Sequence, residues 1–360
     1  MLVASLPLCK TCTVRWALEP VFRMEKFPTE LLKKSTMNNV FGVDIAKESF
    51  EVFHQGAAGD SLNKQWGNTG SDHIRFRDAL PAGACIVMEG SGPYHLRLAS
   101  VLYSANFRVI VLNPLSSRRY AQMKLLRAKT DRIDARLLAE YGRIHYPDLS
   151  PWEPPKRIFT QLRQLSTSLN LLQKQLRMLL NQQAAFAVDL QIDPIGKQVQ
   201  DQLINELKVA IRRLEKQMDL LCKTYCQDTY EHLQSIPGIG PKTAALLIAI
   251  TREFSSFASA KQLVSYLGLC PRIYRSGTSV KGRESIVKMG QTRMRTCLYM
   301  AAFSAMRHNP DCRERAEKMR QKGKHYRVIR IAIAHQLVRQ AFAVATQKTF
   351  FQTKINPENA

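Results

Sequence analysis

Residues 129–140 read Lys129-Thr130-Asp131-Arg132-Ile133-Asp134-Ala135-Arg136-Leu137-Leu138-Ala139-Glu140, and the rest of the chain is organised around this stretch. Its apolar residues recur at helical spacing, which predicts an amphipathic helix. Asp131 and Asp134 are three residues apart, so both carboxylates leave the first helical turn on nearly the same side. Two carboxylates about 4 Å apart repel each other by roughly 4 kcal/mol at an effective dielectric constant of about 20. A folded protein keeps such a pair when a cation lies between the carboxylates or when one of them stays protonated.

Hydrated Mg²⁺ suits this pair because it takes hard oxygen ligands and keeps several waters that a phosphate can replace. The alternative is a purely structural helix start, in which Asp131 caps the N-terminus and Asp134 is solvated. The positions of the other acidic residues decide between the two interpretations.

The chain is strongly basic. It has 360 residues, 45% of them hydrophobic, which is enough for two or three domains. The formal net charge of +24 points to a polyanionic partner. Residues 271–330 hold 16 Lys and Arg against 4 Asp and Glu, a net of +12, whereas residues 38–146 hold 14 against 10, a net of +4. The first of these segments is the predicted nucleic-acid face. No apolar run reaches the roughly 18 residues that a membrane span needs, so no membrane partner is expected.

The eight cysteines are predicted to be free thiols in a reducing cytoplasm. The N-terminus lacks the basic region and the apolar length of a secretory signal. Cys9 and Cys12 with Cys222 and Cys226 could together ligate zinc, but free thiols are the default interpretation. Residues 1–37 show no periodicity and are predicted to be a disordered N-terminal extension without an assigned function.

Residues 38–150 are predicted to form an α/β domain. An apolar run at 40–45, an alternating run at 49–55 and a third strand at 64–68 predict a meander. Helices at about 72–80 and 94–105 alternate with strands at 84–88 and 108–112, before the acidic helix. The resulting order, β-β-β-α-β-α-β-α, fits a fold with a mixed sheet.

Two acidic residues stand where a buried strand should be apolar. Asp44 ends the first strand and Glu89 ends the fourth. Ligand sites of open α/β sheets lie at the carboxyl ends of strands, and a buried charge there is costly unless it is paired or bound to a metal. Gly90, Ser91 and Gly92 leave room for a bulky ligand.

Asp44, Glu89, Asp131 and Asp134 therefore form one candidate metal site. Two divalent ions, Mg²⁺ or Mn²⁺, about 3.5–4 Å apart could clamp the attacking and leaving oxygens of a phosphodiester there.

Residues 151–228 are predicted to be a helical coiled-coil linker that follows a proline-rich boundary. Apolar residues at alternating spacings of four and three form two seams. The first seam comprises Ile158, Leu162, Leu165, Leu169, Leu172, Leu176 and Leu179, and the second comprises Ile204, Leu207, Ile211, Leu214, Met218, Leu221 and Tyr225. Such helices pair either within the chain or with another copy, and the heptads alone do not decide which.

Residues 229–350 are predicted to form a mainly helical C-terminal domain, followed by a tail at 351–360. Its start resembles a helix-hairpin-helix element, in which the turn and the next helix N-terminus contact a phosphate oxygen. A basic loop at 271–283 follows. Its Ser276, which lies beside Gly277, is the first candidate for a serine nucleophile, and Ser279 is the second. Composition alone favours a phosphate-binding loop here over a serine nucleophile, because serine needs activation to attack.

The segments around Asp44, Glu89 and Asp131 resemble the DEDD motifs of the Piv/MooV-type insertion-sequence transposases. The resemblance extends from about residue 37 to 350. It implies an RNase H/RuvC-like N-terminal domain, a catalytic serine at Ser276, and a KxGxxxLR-like segment at Gly290 and the following helix. It also implies assembly as a homo-oligomer on DNA and guidance by a structured RNA.

The predicted function is that of a DNA transposase or recombinase that cuts and rejoins strands through a phosphoseryl-DNA intermediate. The predicted nucleic-acid contacts are Lys129, Arg132, Pro237, Gly238, Gly240, Lys242, Arg272, Arg275, Lys281, Arg283, Lys288, Arg293 and Arg295. Two alternatives are a RuvC-like structure-specific nuclease that uses metal-activated water, and an inactive nucleic-acid binder.

Overall fold

The structure is a computed structural model that describes residues 39–56, 61–90, 92–126, 130–188, 193–272, 275–276, 280–281, 285–287 and 289–353, with the backbone alone for 61, 275–276 and 280–281. The chain divides into two compact units, Met1–Pro154 and Pro155–Ala360. The predicted extension at 1–37, with Cys9 and Cys12, lies outside the described residues, as does the tail from residue 354.

The first unit is a mixed sheet with helices. Its elements are β1 (Val40–Ile45), β2 (Ser49–Gln55), β3 (Ser61–Gly67), α1 (Gly70–Ala79), β4 (Cys85–Glu89), α2 (His95–Ser104), β5 (Arg108–Leu112), α3 (Pro114–Met123) and α4 (Asp131–His145). The strand order is β3-β2-β1-β4-β5, in which β1, β2 and β3 pair antiparallel and β1, β4 and β5 pair parallel. The predicted mixed α/β sheet is confirmed.

The sequence interpretation missed α3. This helix has the ordinary signal of a helix start, because Asn113 caps it by accepting a hydrogen bond from the Leu115 amide and Pro114 occupies the first turn. Its weak amphipathic pattern concealed it: only Ser117 and Tyr120 are buried.

The two faces of the sheet bury alternate residues of each strand. One face places Val43 and Met88 in a core with residues of α1 and α2, such as Phe76 and Leu98. The opposite face, which includes Val40 and Val87, packs with Leu138 of α4. The sheet is therefore covered by helices on both sides.

Two glycines let α4 lie directly on β1. A Cβ atom added at Gly42 would lie 2.0 Å from the Ala135 carbonyl oxygen and 2.4 Å from the Ala139 amide nitrogen. A Cβ atom at Gly142 would lie 3.0 Å from Cγ1 of Val40. Since later residues of α4 contact earlier residues of β1, the helix runs antiparallel to that strand.

The second unit is mostly helical. Its elements are α5 (Arg157–Phe186), α6 (Pro194–Tyr225), α7 (Gln227–Gln234), α8 (Pro241–Thr251), α9 (Ala260–Tyr266), the short strands β6 (Pro271–Arg272), β7 (Arg275–Ser276), β8 (Val280–Lys281) and β9 (Ser285–Ile286), and then α10 (Thr292–His308), α11 (Pro310–Gln321) and α12 (Tyr326–Gln347).

Helices α5 and α6 form an antiparallel hairpin within the chain, as the pairing of Gln183 with Asp201 and of Gln173 with Glu215 shows. One predicted seam residue is misplaced: Tyr225 is 65% exposed, whereas Cys222 is fully buried. The cause is the 3.6-residue repeat of a helix, which drifts away from a seven-residue pattern over several turns.

The hairpin shares one core with the helices that follow it. Leu162 and Leu169 of α5 and Met218 of α6 belong to the same buried cluster as Leu247 of α8 and Leu337 of α12. The predicted linker at 151–228 and the predicted domain at 229–350 therefore belong to one compact unit in the structure.

Helix α12 is the one helix in the described part of the chain whose length and composition would allow it to cross a membrane. Its residues Ile333, Ala334, Leu337 and Val338 are fully buried among the other helices of the second unit. The apolar character of α12 is thus explained by its place in a protein core.

Candidate active site

Asp44 and Glu89 lie side by side at the carboxyl ends of neighbouring parallel strands. The register of β1 and β4 pairs Val43 with Met88, so the next positions along the two strands are Asp44 and Glu89. Val43 and Met88 point into the core on the α1–α2 side. Because side chains alternate along a strand, the two acidic residues belong to the opposite face, which α4 covers. Both are half-buried.

The first turn of α4 reaches the level of Asp44. From Gly42 to Asp44 a strand advances about 6.6 Å, a distance that a helix covers in four to five residues. Gly42 faces the segment between Ala135 and Ala139. The middle of that segment is residue 137, and four to five residues before it are residues 132 and 133, which lie in the first turn of α4 between Asp131 and Asp134.

Asp131 and Asp134 continue the sheet-facing stripe of α4. Ala135 and Leu138 are buried, and each has an aspartate one helical turn before it, four residues earlier. Asp134 is half-buried and Asp131 is exposed, as expected for residues at the rim of the sheet. The four predicted carboxylates thus lie on one face and at one end of the sheet.

The structural interpretation of Asp131 as an N-cap is wrong. Thr130 caps α4 instead, and its hydroxyl accepts a hydrogen bond from the Ile133 amide over 3.2 Å. Asp131 is the first helical residue, so its carboxylate is left to complement the helix dipole or a bound cation.

Ser117 is a residue of this site that the sequence interpretation missed. Ser117 is 4% exposed as a whole residue. Its hydroxyl donates a hydrogen bond of 2.5 Å to Oε2 of Glu89 and also lies 3.1 Å from the Pro114 carbonyl oxygen. A buried hydroxyl that donates to a carboxylate fixes the orientation of that carboxylate. No sequence signal marked Ser117, because α3 itself was missed.

The described residues contain no group of three or more His, Cys, Asp or Glu side chains close enough to enclose a metal ion. Asp44 and Asp134 each make a further contact of their own. The donor set nevertheless has the chemistry that a hydrated divalent cation needs, namely carboxylate oxygens from three elements at the rim of a sheet.

A pocket of about 300 Å³ lies at the other end of β1 in the first unit, lined by Val40, Lys124, Arg136, Glu140 and Arg143 among others. Lys124 pairs with Glu140, and this contact is the main reason why the pKa of the Glu140 carboxyl lies below its ordinary value. Burial raises the pKa of the neighbouring Tyr120 hydroxyl. This pocket is therefore basic but already contains a paired carboxylate.

The segment that resembles a helix-hairpin-helix element consists of α7, a turn at 235–240 and α8. Gly238 has a φ of +108°, and a Cβ atom there would lie 2.6 Å from Cβ of Ala305 in α10. Gly240 is exposed, with nothing within 4 Å of an added Cβ. Gly238 is thus explained by packing, and Gly240 leaves the N-terminus of α8 open to a ligand.

Lys242, in the first turn of α8, pairs with Glu215 of α6 over 2.5 Å. The neighbouring Pro237 is half-buried, and its carbonyl oxygen lies 3.4 Å from Nδ2 of Asn309. A phosphate at this turn would therefore compete with Glu215 for the charge of Lys242.

Ser276 lies in a short hairpin of the second unit. β7 pairs antiparallel with β8, with Arg275 opposite Lys281 and Ser276 opposite Val280. The backbone register thus places two basic residues across from each other, next to the serine. Ser91, Lys129, Ser279, Arg283 and Lys288 lie outside the described residues.

The remaining predicted contacts differ in exposure. Arg132 and Arg272 are exposed, whereas Arg293 and Arg295 are half-buried, and burial lowers the pKa of Arg293. Arg295 donates from Nη1 to the Leu267 carbonyl oxygen over 3.1 Å. Arg295 therefore holds the α9–β6 connection in addition to any ligand contact.

Similarity to known proteins covers both units. A family model described as "Transposase IS116/IS110/IS902 family" matches residues 230–317, and a model of DEDD transposases of the IS110 type matches residues 41–188. The pilin gene-inverting protein of Moraxella lacunata is 33% identical over 274 residues, which are 75% of this chain and 83% of that protein. A transposase for insertion sequence element IS1328 of Yersinia enterocolitica is 26% identical over 343 residues, 87% of this chain and 98% of that protein.

Proposed function

Since the chain belongs to the IS116/IS110/IS902 family of transposases, we propose that it cuts and rejoins DNA by a composite mechanism that uses the acidic rim of the first unit and Ser276 of the second. The membership inferred from the sequence motifs is confirmed, and with it a transposase or recombinase activity on DNA. The roles of individual residues below are our proposal.

The observation that carries the proposal is the juxtaposition of β1, β4 and α4. Asp44 and Glu89 share one end and one face of the sheet, and the first turn of α4 adds Asp131 and Asp134 at the same level. A mixed sheet with helices on both faces further supports an RNase H/RuvC-like domain at 38–150. The helices at 151–228 and the proposed transposase domain at 229–350, which share one compact unit, complete the proposed organisation.

Asp44, Glu89, Asp131 and Asp134 would hold the divalent cation, proposed as Mg²⁺ or Mn²⁺. A bound cation of this kind neutralises a phosphodiester and stabilises the charge that develops on its oxygens. Ser117 keeps the Glu89 carboxylate in place. Lys129, which precedes α4 in the sequence, and Arg132, in the first turn of α4, would contact the DNA backbone beside the acidic residues.

Ser276 is the proposed nucleophile. Its Oγ atom forms a bond to phosphorus as one P–O ester bond of the DNA strand breaks, and the proton passes to the released strand oxygen. The reverse step joins a new strand hydroxyl and frees the serine, so that the ester bond energy is kept and no ATP is needed. The cations Arg272, Arg275, Lys281 and Arg283 would stabilise the pentacoordinate phosphate.

The DNA backbone would also be held by sequence-independent contacts in the second unit. These are the turn with Pro237, Gly238 and Gly240, the side chain of Lys242, and the basic residues Lys288, Arg293 and Arg295. A structured guide RNA is a further proposed partner, which the family resemblance suggests and the net charge of +24 favours.

A homo-oligomer is proposed because α6 carries a stripe of exposed apolar residues near its N-terminus. On α6, Ile195, Val199 and Leu203 follow one another at helical spacing and are 71%, 51% and 43% exposed. An exposed apolar stripe of this kind typically marks an interface. Sedimentation of wild type and of a Val199→Glu variant tests this part, and a mass unaffected by the substitution would oppose it.

The central experiment incubates wild type, Ser276→Ala and Asp44→Asn with end-labelled DNA that carries the element ends. The proposal predicts a covalent protein–DNA adduct on denaturing gels for wild type and none for either variant. Ser279→Ala is the matched control and is expected to retain the adduct. Cleavage by Ser276→Ala, with no adduct from wild type, would instead establish hydrolysis by metal-activated water. Binding without any metal-dependent cleavage would indicate an inactive binder.

A further inference from the structure

Helices α10 and α12 together form a cluster of aromatic rings and guanidinium groups that the proposed mechanism does not use. We name it the aromatic–arginine patch, and it consists of Tyr299, Phe303, Arg307, Tyr326, Arg327 and Arg330. At its centre, the guanidinium carbon of Arg330 lies 5.3 Å from the Tyr299 ring centroid, 4.8 Å from that of Phe303 and 5.4 Å from that of Tyr326.

The rings and the cations of the patch are held in place by one another. Arg330 donates a hydrogen bond to the Tyr299 hydroxyl over 3.3 Å, and Arg327 donates to the Tyr326 hydroxyl over 3.2 Å. Arg307 stacks over Phe303, with its guanidinium carbon 4.6 Å from the ring centroid. Groups arranged in this way lose little conformational entropy when they bind a ligand.

The patch is open to solvent. Phe303 is 40% exposed and Tyr326 is 51% exposed. Among the described residues, the ion pairs of this region join Lys318 to Glu314 and Arg320 to Glu317, and none includes an arginine of the patch. The patch therefore combines accessible ring surface with positive charge that forms no ion pair with a carboxylate in the part of the chain that the structure describes.

This combination selects for one class of ligand. A surface that binds only duplex backbone needs cations, and aromatic rings add nothing to it because duplex bases are stacked on each other. Unpaired bases, in contrast, stack on aromatic side chains and on arginine planes while neighbouring cations hold their phosphates. We propose that the aromatic–arginine patch binds a single nucleic-acid strand through its unpaired bases. The proposal deepens the proposed function, on which it rests for the assignment of nucleic acid as the ligand.

The test compares the affinities of full-length protein for a 20-nucleotide oligo(dT), a 20-nucleotide oligo(U) and a duplex of 20 base pairs, measured by fluorescence anisotropy at one salt concentration. The double variant Phe303→Ala/Tyr326→Ala is expected to bind a single strand at least about tenfold more weakly than wild type, since each lost stack costs a factor of this order. Its affinity for the duplex should stay within about twofold. Whichever of oligo(dT) and oligo(U) binds with the higher affinity shows whether the preferred single strand is DNA or RNA.

Three variants control this result. Met300→Ala removes another exposed side chain of α10, 62% exposed, and is expected to leave all affinities unchanged. Lys322→Ala removes a cation outside the patch and should weaken single-strand and duplex binding by the same factor. Arg330→Lys keeps the charge but loses the planar stacking group, so it should lose part of the single-strand affinity alone.

Equal losses for single strand and duplex in the double variant would overturn the proposal, because the patch would then act through charge alone. Unchanged single-strand affinity, or a change in sedimentation mass instead, would overturn it as well and indicate a protein contact. These outcomes are separate from a failure of the proposed function. If wild type forms no covalent adduct but binds single strands with the expected selectivity, single-strand binding by the patch is supported and the Ser276 mechanism is refuted.

Discussion

Gly42→Ala tests the juxtaposition on which the acidic site depends. The added methyl would lie 2.0 Å from the Ala135 carbonyl oxygen, 2.4 Å from the Ala139 amide nitrogen and 2.9 Å from the Ala139 Cβ. Ordinary contact distances are about 3.5–4.0 Å, so α4 must move away from β1 by about 1.5 Å. The neighbouring atoms are mostly backbone of a helix, which cannot swing aside as a flexible side chain can.

Overpacking of this kind costs about 1–3 kcal/mol in the free energy of unfolding. For a unit of this size the cost corresponds to a fall in melting temperature of about 2–12 °C. The same displacement carries the first turn of α4, with Asp131 and Asp134, away from Asp44 and Glu89. A misplacement of about 1 Å can lower a catalysed rate about 100-fold, so strand cleavage should fall by more than the loss of folded protein explains.

Circular dichroism melting and metal-dependent cleavage of labelled DNA measure the two effects. Gly70→Ala, at the start of α1 in the same unit, is the matched control because nothing lies within 4 Å of its added Cβ. Its unfolding free energy is expected to stay within about 0.5 kcal/mol of wild type. If Gly42→Ala melts and cleaves like Gly70→Ala, α4 does not rest on β1 as described, and the convergence of the four acidic residues loses its basis.

Three further predictions follow from contacts in the two units. Ser117→Ala removes the donor to Glu89 and should slow cleavage at saturating Mg²⁺ by about tenfold or more, with Ser116→Ala as the control that keeps the wild-type rate. The pKa of the Asp219 carboxyl is lowered, chiefly by its hydrogen bond with Lys223, so its stabilising contribution is complete above the unfolded pKa of about 3.9 and is lost as the pH falls through the lower folded value. Urea unfolding should therefore show a deficit for Asp219→Asn at pH 7 that shrinks towards pH 3, and a deficit independent of pH would contradict this assignment. Burial raises the pKa of the Cys222 and Cys226 thiols to about 12 each, so mass spectrometry should find neither alkylated by iodoacetamide at pH 8 until urea unfolds the chain.

The sequence was sufficient for most strands of the first unit and for the two long helices of the second. Alternating and continuous apolar runs predicted β1, β2, β4 and β5, and the heptad seams predicted α5 and α6, because these signals depend only on which face of an element is buried. It failed at α3, whose few buried residues leave a weak period, and at Tyr225, where helical drift turns the seam towards Cys222. The acidic positions Asp44 and Glu89 were visible because a charge interrupts an apolar strand.

Tertiary structure alone decided which of these residues meet. Parallel pairing of β1 with β4 places Asp44 beside Glu89 although 45 positions separate them in the sequence (89 − 44 = 45). Gly42 admits α4 onto the same face, and Ser117 reaches Glu89 from a helix that had not been predicted. The rings around Arg330 likewise come from two helices. A periodic apolar pattern indicates which residues of an element are buried, but it does not indicate which other element of the chain packs against them. The partner is selected only when the apolar surfaces within each unit compete with one another for burial.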